Sequence, residues 1–344
     1  MRIILDAMGG DNAPQAPVMG AVAAAKDFGA QITLVGRGQE ILDVLKSNGI
    51  ENLPEGIEIA HADDVVDMHD DPAEAVRKKK NSSMMVGLKM LSEEQGDAFI
   101  SAGSTGALLS GATLIVKRVK GIRRAAMGPA MPNKAGGKTV ILDCGANAEC
   151  TPEFLLQFGL VGSLYAKKYL GVENPRIGLL NIGTEDTKGT PLQKEAYVLL
   201  QEAGQKGIIN FVGNVEARDV PLGAVDVVVC DGFAGNVLLK SIEGTASFMG
   251  SLVSRMFKKN IITKIGALCC NSGIKSLKKM LDYREIGGTQ FLGIKKPVIK
   301  AHGSSDKLAF RNAVKQAMDA AQSDISRELE SGLAQLAALK ETQA

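Results

Sequence analysis

Ser101-Ala-Gly-Ser-Thr-Gly-Ala107 joins a strand-like run, Asp97–Ile100, to an apolar, helix-like run from Leu108 to Val119. A strand that turns through small residues into a helix leaves backbone N–H groups uncovered, with the positive end of the helix dipole behind them. Gly103 and Gly106 permit close approach, and Ser101, Ser104 and Thr105 add hydroxyls able to donate to phosphate oxygens. The same residues describe a Ser/Thr-capped helix after a tight turn. The segment alone does not choose between an anion cradle and a cap.

Other strand ends carry similar chemistry. Asp143 and Asn147 follow the run Val140–Leu142, and Lys188 closes the turn after Arg176–Leu180. Gly213–Asp219 follows Asn210–Val212, and Asp231, Asn236 and Lys240 follow Val225–Val229. Together with Ser101–Gly106 these five strand ends, each with glycine beside Asp, Asn, Ser or Thr, suggest a polar cleft at the carboxyl edge of a sheet. The first turn, with Asp6, Gly9, Gly10 and Asp11, belongs to the same set. There Asp11 or Asn12 suits a helix cap, and Asp11 equally suits a polar role in the cleft. His302-Gly-Ser-Ser-Asp306 precedes a helix from Lys307 to about Ala321.

Three tempting motifs fail. Gly36-Arg-Gly38 lacks the third glycine of a dinucleotide fingerprint, Ile41 standing in its place. Gly137-Lys-Thr139 leads into a β run where a P-loop needs a helix, so 128–139 reads as a hairpin. The aspartates around His61 and His69 resemble a metal site, but Asp71-Pro72 reads more simply as the start of a helix to Lys80. No metal or cofactor is expected.

The elements that must position these residues are those of an α/β protein. Of 344 residues 45% are hydrophobic, and 39 glycines stand against 11 prolines, as expected for many strand-to-helix turns. A net charge of +2, no Trp and four Tyr argue against nucleic acid binding. Five cysteines without a CxxC pair suit a reducing cytosol. The chain enters a strand from its first residues, so no signal peptide is expected, and no charge-free apolar run reaches the roughly 18 residues of a spanning helix. A soluble or peripheral cytoplasmic protein is expected. Without repeats or linkers, residues 1–344 read as one α/β domain.

Residues 251–283 break the pattern. Val253, Met256, Phe257, Ile261, Ile265 and Leu268 recur at helical spacing beside Arg255, Lys258, Lys259 and Lys264. Ile274, Leu277 and Leu281 continue the stripe beside Lys275, Lys278 and Lys279. Such a cationic amphipathic excursion suits an anionic membrane or an acidic protein. Dimer or core packing is the plainer reading. Arg118, Lys120, Arg123 and Arg124 form a second basic segment.

With these turns in place the chain resembles the PlsX family of bacterial phosphate acyltransferases of phospholipid synthesis. The resemblance runs through Met8-Gly-Gly-Asp11, Ser101–Ala107, Leu142-Asp-Cys-Gly-Ala-Asn147, Gly213-Asn-Val-Glu216, Cys230–Asn236 and His302–Asp306, over essentially the whole chain. Ser104 stands where the family usually has Asn, and Ala217 where it usually has Gly. The resemblance implies a three-layer α/β/α fold with a mostly parallel sheet, akin to phosphotransacetylase and isopropylmalate dehydrogenase. It implies attack of inorganic phosphate on the thioester of a long-chain acyl group carried by acyl carrier protein. Phosphate would sit at Ser101–Gly106, with Lys188 or Lys240 for charge and Asn147 and Asn236 as donors. Asp143, Asp231 and His302 would orient them or shuttle a proton. The two basic segments would dock the acidic carrier. A homodimer, peripheral membrane contact and a membrane glycerol-phosphate acyltransferase as partner also follow from the resemblance. The rivals are a phosphate acetyl- or butyryltransferase using acyl-CoA, a dehydrogenase, and a non-catalytic membrane adaptor for the carrier.

Overall fold

The computed structural model describes residues 1–67, 69–323 and 325–341, with side chains described except at 277–281, 283, 326 and 339–341. Most of its strands are short apolar runs of the sequence, and the central ones, such as Ile3–Asp6 and Val227–Val229, are buried on both faces as inner parallel strands require. They divide between two sheets. The first takes β1 (Arg2–Asp6), β2 (Gln31–Gly36), β3 (Ile57–His61), β4 (Ala98–Ser101) and β5 (Ala126–Met127). The second takes β6 (Ala130–Pro132), β7 (Lys138–Leu142), β8 (Arg176–Asn181), β9 (Asn210–Glu216) and β10 (Val227–Val229). The chain then returns to the first sheet as β11 (Gly288–Leu292) and β12 (Val298–Ala301).

The first sheet has the order β3-β2-β1-β4-β12-β11-β5, parallel as far as β12 and antiparallel at β11 and β5. The second has the order β6-β7-β10-β8-β9 and is parallel except at β6. The fold class is therefore the expected one, α/β with mostly parallel strands, and the strands are shared between two sheets. The hairpin read at 128–139 is β6–β7.

Side-chain alternation builds the layers. In β1, Ile3 and Leu5 join a core with α1 (Gln15–Phe28) and the helix Lys307–Gln322, while Ile4 joins the opposite core with Met84, Met85 and Leu88. In the second sheet Val227 and Val229 face Leu155, Phe158 and Leu200, and Val228 faces Val215 and Leu238.

Three local expectations change. The segment Leu108–Val119 is not one α-helix: Thr105–Gly111 is α-helical, Ala112–Val116 is a π-helical turn, and Lys117 leaves it at φ 74°. Gly213–Glu216 lies within β9 and is not a turn, because the strand continues through a register shift against β8. Gly287-Gly288 and Leu292-Gly293 read as turns from the sequence, yet Gly288–Leu292 is the strand β11, with Phe291 and Leu292 buried in it.

The excursion is a helix of 26 residues, Gly232–Phe257, followed by Ile261–Cys269 and Asn271–Leu281. Its first turns pack on the second sheet through Gly235 and Leu238, and beyond them the excursion leaves the core of its own chain. Ile261–Cys269 buries no residue, and Phe248, Met256, Ile261, Ile262 and Ile265 are exposed. Leu277, Lys278, Lys279 and Leu281 lie outside the described side chains. No described helix is long and apolar enough to cross a membrane.

Candidate active site

Three turns of the first sheet interlock. Ser101 at the end of β4 is fully buried; its Oγ donates to Asp6 Oδ2 at 2.6 Å and accepts from the Gly103 N–H at 3.1 Å. Asp6 also accepts from the Met8 N–H at 3.0 Å, and burial raises its carboxyl above the usual range against these hydrogen bonds. A Cβ at Gly9 would lie 2.6 Å from Asp6 Oδ2 and 2.8 Å from Gly103 N, so only glycine fits there. Gly10, at φ +100°, brings the first turn against Gly303.

In this arrangement Ser101 and Gly103 spend their hydrogen bonds on the turn. Ser104 accepts from the Ala107 N–H at 3.5 Å and caps the helix Thr105–Gly111. Gly106 packs against Pro72, which a Cβ would approach to 2.7 Å. Asp11 does not cap α1. Pro14 holds the cap position without a side-chain bond, and Asn12 instead donates to Ser304 O and Ser305 O, at 3.1 and 3.2 Å. The carboxylates near His61 are likewise in use: Asp71 caps the helix Pro72–Lys78, and Asp70 pairs with Lys79 at 2.6 Å.

Asp143, fully buried beyond β7, knots the second sheet to the first. Its oxygens accept from the N–H groups of Met127 (2.8 Å), Ala146 (3.3 Å) and Asn147 (2.6 Å), and from Asn147 Nδ2 at 3.0 Å. Burial raises its carboxyl above the usual range, and these donors oppose that. Asn147 Nδ2 reaches Ala125 O at 2.8 Å, and its carbonyl accepts from the Gly232 N–H at 2.7 Å. Asp231 caps the long helix through the Ala234 N–H at 2.8 Å. Asp143, Asn147 and Asp231 thus fix the first turn of that helix, which carries Asn236 and Lys240.

The two sheets meet over a cavity of about 1210 Å³. Its polar lining gathers Asp11, Thr105, Asn236, Lys240, Lys300 and His302 from both sheets. Its apolar lining includes Met127, Met131, Leu239, Ile242, Val253, Phe257 and Ile274. The lining follows the long helix from Asn236 to Phe257, roughly 30 Å at 1.5 Å per residue. His302 Nδ1 contacts Ser304 Oγ at 2.8 Å, and burial together with the charges of Lys240 and Lys300 lowers its proton affinity. Lys240 pairs with Glu243 at 2.8 Å. Lys188 does not line this cavity; it is exposed in the turn after β8.

Lys300 escaped the sequence reading. It is 9% exposed in β12, and its Nζ donates to Ala102 O at 3.2 Å and Ala301 O at 2.5 Å. Burial lowers its proton affinity to about 8. A lysine closing the apolar run Val298-Ile299, two residues before His302, was the available signal.

The basic segments are separate. Arg118 donates to Arg123 O, Arg124 lies 5.8 Å from the Phe154 ring centroid, and Lys120 is exposed. Arg255, Lys258, Lys259 and Lys264 are exposed on the excursion, and Lys258 and Lys264 also line the cavity.

A family profile described as "Fatty acid synthesis protein" matches residues 1–328. The chain is 48% identical over 336 residues to a phosphate acyltransferase from Alkaliphilus oremlandii, covering 98% of each. It is 48% identical to a phosphate acyltransferase from Brevibacillus brevis, covering 97% of each. Its fold is like that of a branched-chain phosphotransacylase from Enterococcus faecalis, at a TM-score of 0.58 and 16% identity over 94% of this chain and 100% of that one. The chain belongs to the phosphate acyltransferase family.

Proposed function

We propose that this enzyme transfers a long-chain acyl group from the thioester of acyl carrier protein to inorganic phosphate, giving acyl phosphate for phosphatidic acid synthesis. The observation that carries the reading is one cavity with a cationic, hydrogen-bonding part and a long apolar wall. The first suits phosphate and the thioester carbonyl, the second an acyl chain.

A phosphate oxygen attacks the carbonyl carbon, the C–S bond breaks, and the carrier thiolate leaves and takes up a proton. Phosphate is already an anionic nucleophile and a thiol is a fair leaving group, so positioning and charge neutralisation supply the catalysis. Asn236 and Thr105 are placed to donate to phosphate or carbonyl oxygen, and Lys240 and His302 flank them. Ser101, Gly103, Ser104, Asp143, Asn147 and Asp231 act by holding the turns. Lys188, on a neighbouring strand end, is the remaining candidate for charge. The apolar wall keeps water from the acyl phosphate.

The reading carries with it a cytoplasmic homodimer. Its exposed apolar residues on Ile261–Cys269 would touch the membrane, where a glycerol-phosphate acyltransferase takes up the product. Incubation with phosphate and either palmitoyl carrier protein or short-chain acyl-CoA tests the donor, with acyl phosphate as the readout. Preference for the carrier is expected. Preference for acyl-CoA would instead favour an acetyl- or butyryltransferase, and carrier binding without thioester consumption would favour an adaptor.

A further inference from the structure

We propose that Lys300 is the cation that holds inorganic phosphate, at the end of β12 beside the turn that follows β4. The inference rests on the reading above and names the residue that recognises its nucleophile. Register places Lys300 beside Ser101 of β4 and Thr289 of β11, so its stem rises within the first sheet. Its ammonium meets two carbonyl oxygens; among the described residues it forms no ion pair, and the carboxylates of Asp11 and Asp6 act on it only from farther off. Carbonyls satisfy two of the three N–H donors but do not neutralise the charge. A buried cation left in that state is costly unless an anion completes the site. The third donor and the charge face a cavity that also presents Thr105, Asn236 and His302.

The other lysines differ. Lys240 is neutralised by Glu243 with its side chain 53% exposed, and Lys188 is exposed outside the cavity. Phosphate at Lys300 therefore meets a buried charge that no ion pair already holds, which neither of them offers.

Lys300→Met keeps most of the stem volume and removes the charge. Its KM for phosphate is expected to rise roughly 10- to 100-fold, the range for a lost charge-assisted hydrogen bond. Its KM for acyl carrier protein should stay near that of the wild type. Calorimetric titration with inorganic phosphate, without acyl donor, should show binding to the wild type and loss in the variant. Unchanged phosphate KM and unchanged titration in a folded variant would overturn the assignment. Failure of the wild type to form acyl phosphate would sink the functional reading alone, since the titration is scored separately.

Protonation provides a second measurement that holds even if the variant folds poorly. Wild-type phosphate affinity should fall as pH rises through about 8, where Lys300 loses its proton. Asp6 and Asp11 from the first turn, Lys240 and Glu243 from the long helix, Lys258 and Lys264 beyond its end, His302 after β12, and Asp282 face the same space. Absence of the alkaline fall in the wild type, or its persistence in Lys300→Met, counts against Lys300.

Discussion

At the scale of residues, two glycines of the long helix show how position decides the sign of one substitution. A Cβ on Gly235 would lie 1.9 Å from the Asp143 carbonyl oxygen, a backbone atom that cannot swing aside. Gly235→Ala is expected to destabilise the fold by about 3 kcal/mol, the upper range for overpacking, and to disturb the Asp143 turn. Gly244 in the same helix meets nothing within 4 Å. There Gly244→Ala should stabilise by up to about 1 kcal/mol, the helix-propensity difference. Urea unfolding midpoints of the two variants check both; equal shifts would show that the contact at Asp143 is relieved without cost.

At the scale of elements, the excursion presents two apolar faces with different tasks. Phe257 and Val253 line the cavity, whereas Ile262 and Ile265 are exposed and do not. A charge at Phe257 would therefore mix substrate binding with surface contact. Ile262→Glu with Ile265→Glu isolates the outer face. Recovery with vesicles of mixed neutral and anionic phospholipid should fall sharply, while turnover of acyl carrier protein in solution is retained. Unchanged vesicle recovery together with loss of a dimer on sizing would place the outer face at a subunit interface instead.

At the scale of the whole molecule, the basic segment 118–124 leads directly into β5, whose Met127 lines the cavity and bonds to Asp143. A carrier docked on this segment would stand beside the junction of the two sheets. Arg123→Glu with Arg124→Glu should raise the KM for acyl carrier protein roughly tenfold at low salt, leaving the KM for phosphate near the wild-type value. The difference should shrink as salt screens it. Steady-state kinetics at two ionic strengths would show this, and a salt-independent loss would instead point to damage at the Arg124–Phe154 contact.

The sequence by itself determined the fold class, most strand positions and the family, because apolar runs, glycine turns and motif order are local along the chain. It also marked the turns at Ser101, Asp143 and Asp231. Only the tertiary structure decided what each polar group does there. Asp11 or Asn12 fitted a cap on paper, yet Pro14 takes that place and leaves Asp11 at the cavity. Ser101 offered hydroxyl chemistry, but burial beside Asp6 commits it to the turn. The division into two sheets depends on pairings between distant segments, such as residues 298–301 with 98–101, which no local pattern specifies. Lys300 follows from the same cause. A lysine at a strand end reads as solvated until the neighbouring strands and the returning long helix enclose it, and enclosure turns an ordinary charge into one that calls for an anion.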